Sequence, residues 1–464
     1  MSTLVIGEIL SVLLLVSSLA ILMLGFGVAF SLAAIGIVFA GLGAVFGAFE
    51  FRLLQALPGR LYAIMQNEVL VAVPLFIFMG TVLERSGIAE ELLEAAGRLF
   101  GRVRGGIAIS VVLIGVLFAA STGIVGAAVV TMGLISLPLM LRIGYDARLA
   151  TGTITASATL AQIIPPATVL VFLGDMLQAA NSQAQLARGN MAPDPVSVGD
   201  LFFGALVPGL ALAALYILWV IVVAVVRPAA CPAMPAAEAG ASRLVGRVLW
   251  AMLPPLVLVV AVLGSILGGV ATPTESASVG AVGAMALAAM RGRLDREMLA
   301  GVSRTTARLT SMAFLLLLGA SLYILVFRGL GGDLLVEGLL TSLPGGLHGA
   351  LAVVMTIVFL LGFFLDPFEI MFIIIPIAGP VLITLGADPL WLGVLIALNL
   401  QTSFLTPPFG FSLFYLRSVA PPEVTTGQIY RGIVPFVVVQ LLVLAAVWLM
   451  PAIATELPRR VFGY

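Results

Sequence analysis

The chain has 464 residues, 61% of them hydrophobic and only 9% charged, and its 22 basic and 22 acidic side chains balance to zero. Mean hydropathy is +1.22. A soluble protein of this length exposes far more charge, so composition excludes a soluble enzyme, offers nothing to a nucleic acid, and leaves an integral protein surrounded by a lipid bilayer. One cysteine, Cys231, excludes an internal disulfide and a cysteine metal cluster, and the single histidine, His348, leaves no basis for a histidine metal site.

Residues 8–48 form two spans, with a break at Gly25-Phe26-Gly27. No basic region precedes this apolar run, which is far longer than a signal-peptide core, so it is expected to remain as membrane helix. Tyr62–Leu83 reads as a third span. Ile88–Phe100 alternates charged and apolar residues at helical spacing, with Glu94 and Arg98 four apart, and reads as a surface helix or an ordinary loop helix. The apolar stretch 107–140 is interrupted at Ala120-Ser121-Thr122-Gly123. Arg98, Arg102 and Arg104 lie before it, Arg142 and Arg148 after it. Basic flanks on both sides favour a re-entrant hairpin opening to the cytoplasm over two full spans joined by a turn.

Thr151–Leu173 reads as a membrane helix broken at Pro165-Pro166, followed by an outer polar loop carrying Asp175, Arg188, Asp194 and Asp200. Leu201–Val226 spans back to a cytoplasmic linker at 227–248. Leu249–Val270 and Thr274–Met290 follow, and Arg291, Arg293, Arg296, Arg304 and Arg308 mark a cytoplasmic loop. Leu309–Phe327 crosses outward, and Gly332–Leu340 resembles the earlier surface helix. The second interrupted apolar stretch, 348–385, has mostly acidic flanks and is expected to open outside. A second broken helix, 390–416, and a last span, Gly432–Met450, complete the chain.

Two of these stretches are copies. Shifting Pro138–Phe172 by 242 residues superposes Pro138 on Pro380, Gly144 on Gly386, Asp146 on Asp388, Ile154 on Ile396, Pro165-Pro166 on Pro407-Pro408 and Phe172 on Phe414. Four crossings separate the two broken helices, so they run in opposite directions. The expected fold is therefore all-α, with two inverted-topology repeats (1–226 and 249–464), each holding a re-entrant hairpin and a Pro-Pro-broken helix. Broken helices at matching positions of two halves point to a transporter's binding site.

The breaks also carry the candidate chemistry. Irregular backbone survives at membrane depth only inside protein or beside water. Freed carbonyls at a helix C-terminus suit a small cation, and helix N-termini suit an anion. Ser121, Thr122, Thr155, Ser157 and Thr159 at the first copy, and Asn399, Thr402, Ser403 and Thr406 at the second, supply oxygen of the hard kind that Na⁺ prefers. A hydroxyl inside a helix more often bonds its own i−4 carbonyl, so clustering at both breaks carries the reading rather than any one residue. Asp366, beside Gly362 at the second hairpin turn, is read either as an ion ligand or as the cap of the half-helix starting at Pro367. Glu275, Asp146 and Asp388 read as helix caps.

The runs Phe118–Asp146, Ile163–Ala167 (IIPPA), Thr272–Val282 (TPTESASVGAV), Gly386–Val394 (GADPLWLGV) and Leu405–Gly410 (LTPPFG) resemble, in order and across nearly the whole chain, the large membrane subunit of tripartite ATP-independent periplasmic (TRAP) transporters. The resemblance looks closest to the branch for 2-oxoacids, lactate and similar carboxylates. It implies a multi-pass protein of the bacterial inner membrane with an ion-transporter-like elevator architecture, driven by Na⁺ as coupling ion with no further cofactor. It also implies a periplasmic solute-binding protein and a small four-helix membrane subunit on a separate chain. The hairpin turn matches at Ser121, Thr122 and Gly123. Many members carry further serines after that glycine, where this chain has Ile124 and Val125, and Ala167 stands where serine often follows the Pro-Pro. Backbone carbonyls can serve where those hydroxyls are missing.

The leading expectation is thus a Na⁺-coupled importer of a small carboxylate. Substrate contacts are expected at Ser121, Thr122, Gly123, Pro165, Pro166, Pro407 and Pro408, and Na⁺ ligands among Ser121, Thr122, Thr155, Thr159, Gly362, Asp366, Asn399, Thr402 and Thr406. A symporter needing no binding protein is the alternative. A channel would show conductance without coupling. A membrane enzyme is disfavoured by the single His, the single Cys and the lack of a clustered acid–base pair.

Overall fold

The computed structural model describes residues 2–88, 91–92, 97, 100–122, 125–234 and 244–462, with backbone alone at 120–122, 244–245, 247–251 and 462. The described chain is helical, with no strand among the described residues. In order the helices are α1 Thr3–Met23, α2 Val28–Val45, α3 Leu57–Met65, α4 Ala72–Arg85, α5 Gly106–Thr122, α6 Val125–Ile143, α7 Ala147–Thr159, α8 Thr168–Ala187, α9 Val198–Val226 and α10 Leu244–Leu267. They continue as α11 Pro273–Met290, α12 Arg296–Gly329, α13 Gly332–Ser342, α14 Gly346–Leu361, α15 Pro367–Thr384, α16 Pro389–Leu405, α17 Phe411–Val419, α18 Thr426–Leu449 and α19 Ala452–Phe462. Seven of them, among the described residues, are long and apolar enough to cross a bilayer. Only 28% of the most apolar window of α1 and of α9 is buried by protein, so their remaining apolar surface needs hydrocarbon around it.

The chain forms two compact units, each drawing segments from both halves of the sequence. The first comprises Met1–Leu70, Phe172–Ser197 and Arg308–Leu392. Within it α1 meets α12 through a 3.1 Å hydrogen bond between the hydroxyls of Ser18 and Tyr323, which satisfies both buried groups. The second comprises Val71–Val171, Val198–Ala307 and Gly393–Tyr464. Here Gln440 of α18 donates to the Tyr216 hydroxyl of α9 at 2.9 Å, and Phe436 packs edge-on against the same ring. Helices α7 and α18 cross so closely that a Cβ on Gly152 would lie 2.2 Å from the Gly432 carbonyl oxygen. One on Gly432 would lie 2.1 Å from that of Arg148.

Four sequence expectations change. The third span is not continuous from Tyr62. Helix α3 stops at Met65 because the Asn67 side chain accepts the Val69 N–H at 3.0 Å, a local turn that competes with the helical ladder, and α4 begins only at Ala72. The polar stretch after the first break is no loop up to Ala187. Asp175, Gln178, Asn181 and Gln185 are one face of α8, and the amides of Asn181 and Gln185 bond the main chain of Asp194 at 2.7 and 3.0 Å. Arg296, Arg304 and Arg308 lie on α12 rather than in a loop, because Asp295 caps that helix at the Met298 N–H (2.7 Å). A terminal amphipathic helix, α19, follows the last span and packs on α9. The Glu94–Arg98 pair of the expected surface helix lies outside the described residues.

Candidate functional site

The first hairpin is formed by α5 and α6. Its two ends are tied to consecutive residues of the linker. Cys231 accepts the Gly105 N–H at 3.0 Å, and Ala230 accepts the Asp146 N–H at 2.9 Å. Met234 adds a third bond to the Gly101 carbonyl at 2.7 Å. Adjacent carbonyls sit only a few ångströms apart, so the chain enters and leaves this hairpin at one level. The second hairpin, α14 and α15, closes likewise: the His348 ring at its start meets the Trp391 ring just beyond its end, 6.4 Å between centroids. In each the chain enters and leaves at one level, which a re-entrant hairpin and a pair of full spans have in common.

Each hairpin leads into its broken helix by the same turn. Gly144 has φ +95° and Gly386 φ +112°, the left-handed region in which glycine avoids a Cβ clash. Tyr145 N–H reaches the Met140 carbonyl and Ala387 N–H the Leu382 carbonyl, each at 3.0 Å. Asp146 then caps the Arg148 N–H at 2.8 Å and Asp388 the Leu390 N–H at 2.9 Å. All five residue pairs keep the 242-residue offset. Helix α7 ends at Thr159 and the chain resumes as α8 at Thr168. Helix α16 ends at Leu405 and the chain resumes as α17 at Phe411. Pro165-Pro166 and Pro407-Pro408 occupy these breaks, both with cis peptide bonds.

In the second unit the two breaks touch through their own counterparts. Gln401 donates from Nε2 to the Thr159 hydroxyl at 3.4 Å, and these residues are 242 apart. A residue that meets its own repeat mate lies on the axis relating the repeats. Thr155, Ser157, Thr159, Gln401, Thr402 and Ser403 are each 0% exposed, and Asn399 is 2%. Their hydroxyls bond inward along the helix: Thr155 to the Thr151 carbonyl (2.8 Å), Ser157 to Thr153 (2.6 Å), Thr159 to Ala156 (2.9 Å) and Thr402 to Leu398 (2.7 Å). Thr406, half-buried, bonds the Thr402 carbonyl at 2.7 Å. A hydroxyl that spends its proton this way keeps its oxygen lone pairs for an incoming cation.

Two oxygens at this place have no hydrogen-bond partner among the described residues. The side-chain carbonyls of Gln162, three residues past Thr159, and of Gln401 are buried without a hydrogen bond. An orphaned buried acceptor costs about 1–3 kcal/mol, so its retention needs a reason. Sequence reasoning missed both glutamines, although the 242-residue offset already paired Gln401 with Thr159. The second break is more open than the first. Pro165 and Pro166 are buried, whereas Pro407 is half-buried and Pro408 exposed. The Pro408 carbonyl accepts from the Tyr430 hydroxyl at 2.8 Å, and Ser412 satisfies the freed Phe404 carbonyl at 2.8 Å.

At the tip of the second hairpin, in the first unit, Asp366 caps the half-helix that starts at Pro367. Asp366 accepts the Phe368 N–H at 3.0 Å, and Glu369 reaches back to the Asp366 N–H at 3.0 Å, a reciprocal capping box. Glu369 was absent from the sequence candidates, although the Asp-Pro-Phe-Glu spacing carries that box. Gly362 ends α14 in a right-handed turn. Phe172 packs on Phe368 and Phe372, 5.3 Å to each ring. Ser121 and Thr122 form the last turn of α5, and Gly123 lies outside the described residues. Glu275 sits in a capping box with Thr272. Among the described residues no three His, Cys, Asp or Glu side chains converge as a metal centre.

Comparison with known proteins agrees with this architecture. Residues 15–453 match the family described as "Tripartite ATP-independent periplasmic transporter, DctM component". The C4-dicarboxylate TRAP transporter large permease protein DctM of Pseudomonas aeruginosa is 31% identical over 407 residues, covering 87% of this chain and 90% of that protein. The ectoine/5-hydroxyectoine large permease UehC of Ruegeria pomeroyi is 26% identical over 438 residues, covering 94% and 96%. Among solved structures, the YdaH transporter of Alcanivorax borkumensis superposes with a TM-score of 0.63 at 16% identity, over 89% of each chain, which shows a shared fold.

Proposed function

Because the chain belongs to the DctM component family of tripartite ATP-independent periplasmic transporters, we propose that it is the permease of a Na⁺-driven importer for a small organic acid. Secondary transport is the family's work. The Na⁺ coupling and the acid are the further steps of this reading. The carrying observation is the oxygen-lined meeting of the two breaks at Thr159 and Gln401, with two unpartnered side-chain carbonyls and back-bonded hydroxyls. Such a site holds neutral oxygen dipoles and no cation of its own, which suits a hard monovalent ion. Thr155, Thr159, Asn399, Thr402 and Thr406 remain its proposed ligands, joined by Gln162 and Gln401. Ser121, Thr122 and Gly123 are the hairpin-tip contributors.

The substrate carboxylate is proposed to contact the hairpin turn at Ser121–Gly123 and the Pro165-Pro166 and Pro407-Pro408 breaks. Two net positive charges moving down about 100 mV yield roughly 4.6 kcal/mol, enough for some three decades of accumulation. Access alternates by elevator-type carriage of the site. A periplasmic binding protein delivers the acid, and a small four-helix membrane subunit on a separate chain completes the complex in the bacterial inner membrane. C4-dicarboxylate and ectoine permeases are both relatives, so a carboxylate is the shared element.

The test is uptake of a labelled acid into liposomes holding the reconstituted complex. A Na⁺ gradient and added binding protein are both expected to be required. Equal uptake with K⁺ in place of Na⁺ refutes the coupling, and full uptake without binding protein supports a stand-alone symporter instead.

A further inference from the structure

The first unit contains a cavity that the reading above does not use. About 230 Å³ in volume, it lies among α3, α8, α12 and α15 and is lined by Arg60, Asp175, Gln183, Ser321, Arg328 and Pro376, among others. At roughly 30 Å³ per water it holds several waters, or one small molecule in their place. By the positive-inside rule the arginines at the start of α12, from Arg296, face the cytoplasm, and the helix ends beside the cavity at Arg328. The helix is about 50 Å long at 1.5 Å per residue, so its far end lies at the outer face.

The charges in this cavity are unbalanced. Arg328 is held in place by two bonds from Nη2, to the Gln183 side chain at 2.9 Å and the Pro376 carbonyl at 2.8 Å. Its Nε proton is buried and has no partner among the described residues. Arg60 comes near enough to repel it. Neither guanidinium has a carboxylate within ion-pair distance among the described residues. Asp333 acts on Arg328 only through space, and the one lining carboxylate, Asp175, is taken by the Asn67 amide at 2.6 Å. Two cations thus share a small cavity with one carboxylate, which leaves an excess of one positive charge. A buried, unpaired donor beside a second positive charge is costly unless an anion is there to meet both.

We infer that this cavity is an outer anion site taking the carboxylate of a small organic acid, with Arg60 and Arg328 as its two cationic walls and Ser321 as a further donor. It is separate from the broken-helix site. Since the anion's proposed contacts are two guanidinium groups and a hydroxyl, binding here needs no Na⁺. The inference shares with the proposed function only the view that the cargo is an acid anion.

Radiolabelled succinate binding to the purified full chain, in phosphatidylcholine nanodiscs and choline chloride without Na⁺, tests it. Saturable binding is expected, weakened at least about tenfold by Arg60→Gln or Arg328→Gln. The uncharged diamide of succinate should not compete. Arg60 makes no hydrogen bond that folding depends on, so Arg60→Gln should elute like the parent on gel filtration and keeps the test valid if Arg328→Gln misfolds. Absence of binding, or equal binding in the Arg60→Gln protein, overturns the site. Doping the discs with phosphatidylglycerol separates a lipid phosphate from a free acid: loss of an Arg-dependent lipid contact with no succinate binding at all also overturns it. Loss of Na⁺-driven uptake with this binding intact would refute the importer reading and leave the cavity standing.

Discussion

Replacing Gly432 by alanine probes the α7–α18 crossing. The new Cβ would lie 2.1 Å from the Arg148 carbonyl oxygen and 2.8 Å from its carbon. A carbon–oxygen contact settles near ~3.2 Å, so the helices must part by about 1 Å, because the opposing atoms are backbone and cannot rotate away. A gap of that size forfeits up to half of the dispersion well along the contact. Overpacking of this kind costs roughly 1–3 kcal/mol. Gly152→Ala meets the same crossing from the other side, 2.2 Å from the Gly432 carbonyl oxygen. Once the helices have parted for one methyl, the second enters at little further cost. The double variant should therefore lose about as much as one single variant rather than the sum. Thermal unfolding of the detergent-purified chain, followed by fluorescence-detected size exclusion, measures all three. Wild-type stability in either single variant, or additive losses in the double, refutes the geometry.

Gln401→Leu removes one unpartnered oxygen and the bond to Thr159, and should raise the Na⁺ concentration for half-maximal uptake about tenfold. Gln440→Leu, which removes the bond to Tyr216 and a buried side-chain carbonyl remote from the two breaks, should leave the Na⁺ dependence alone. Single cysteines at Arg102 and Ala147, placed in a Cys231→Ala background, should both react with an impermeant maleimide from the cytoplasmic face only, and labelling from opposite faces would break the hairpin assignment. Burial pushes the Cys231 thiol above its ordinary pKa, with Arg104 offsetting part of the effect. The thiolate is therefore scarcer than in a free cysteine at pH 7–8, and the maleimide rate should climb with a midpoint above that of the unfolded chain; a lower midpoint refutes the burial. Glu369→Gln keeps the geometry of the second hairpin's capping box and should cost under about 1 kcal/mol, whereas Asp366→Ala removes the cap and should cost about 1–2 kcal/mol in the same thermal assay.

The apolar lengths, the Pro-Pro breaks and the glycine-aspartate turns were legible because each has a local cause. Proline lacks a donor, Gly144 and Gly386 tolerate a positive φ, and Asp146 and Asp388 stand where an N-cap must stand. The basic flanks of 107–140 agree with the shared level of that hairpin's two ends. Elements decided by distant partners were less visible. Asn67 ends α3 by turning on its own backbone while its amide reaches Asp175, 108 residues away. The polar face of α8 reads as loop until its amides are seen holding the returning chain at Asp194. At the site, the threonines were found because hydroxyls cluster, but Gln162 and Gln401 were not. Glutamine is unremarkable in a sequence, and only the absence of a partner in three dimensions marks it.

The bonds from Ala230, Cys231 and Met234 bear on how the two sequence halves could be made as separate polypeptides. This stretch is covalently part of the connection but structurally belongs to the first hairpin, whose two ends it staples through main-chain groups. A gene divided before Pro228 would strip the N-terminal piece of its clasp and hand it to the wrong fragment. Division after Met234 would leave each product with the backbone partners it needs, so co-expressed fragments should reassemble from the second cut and not from the first.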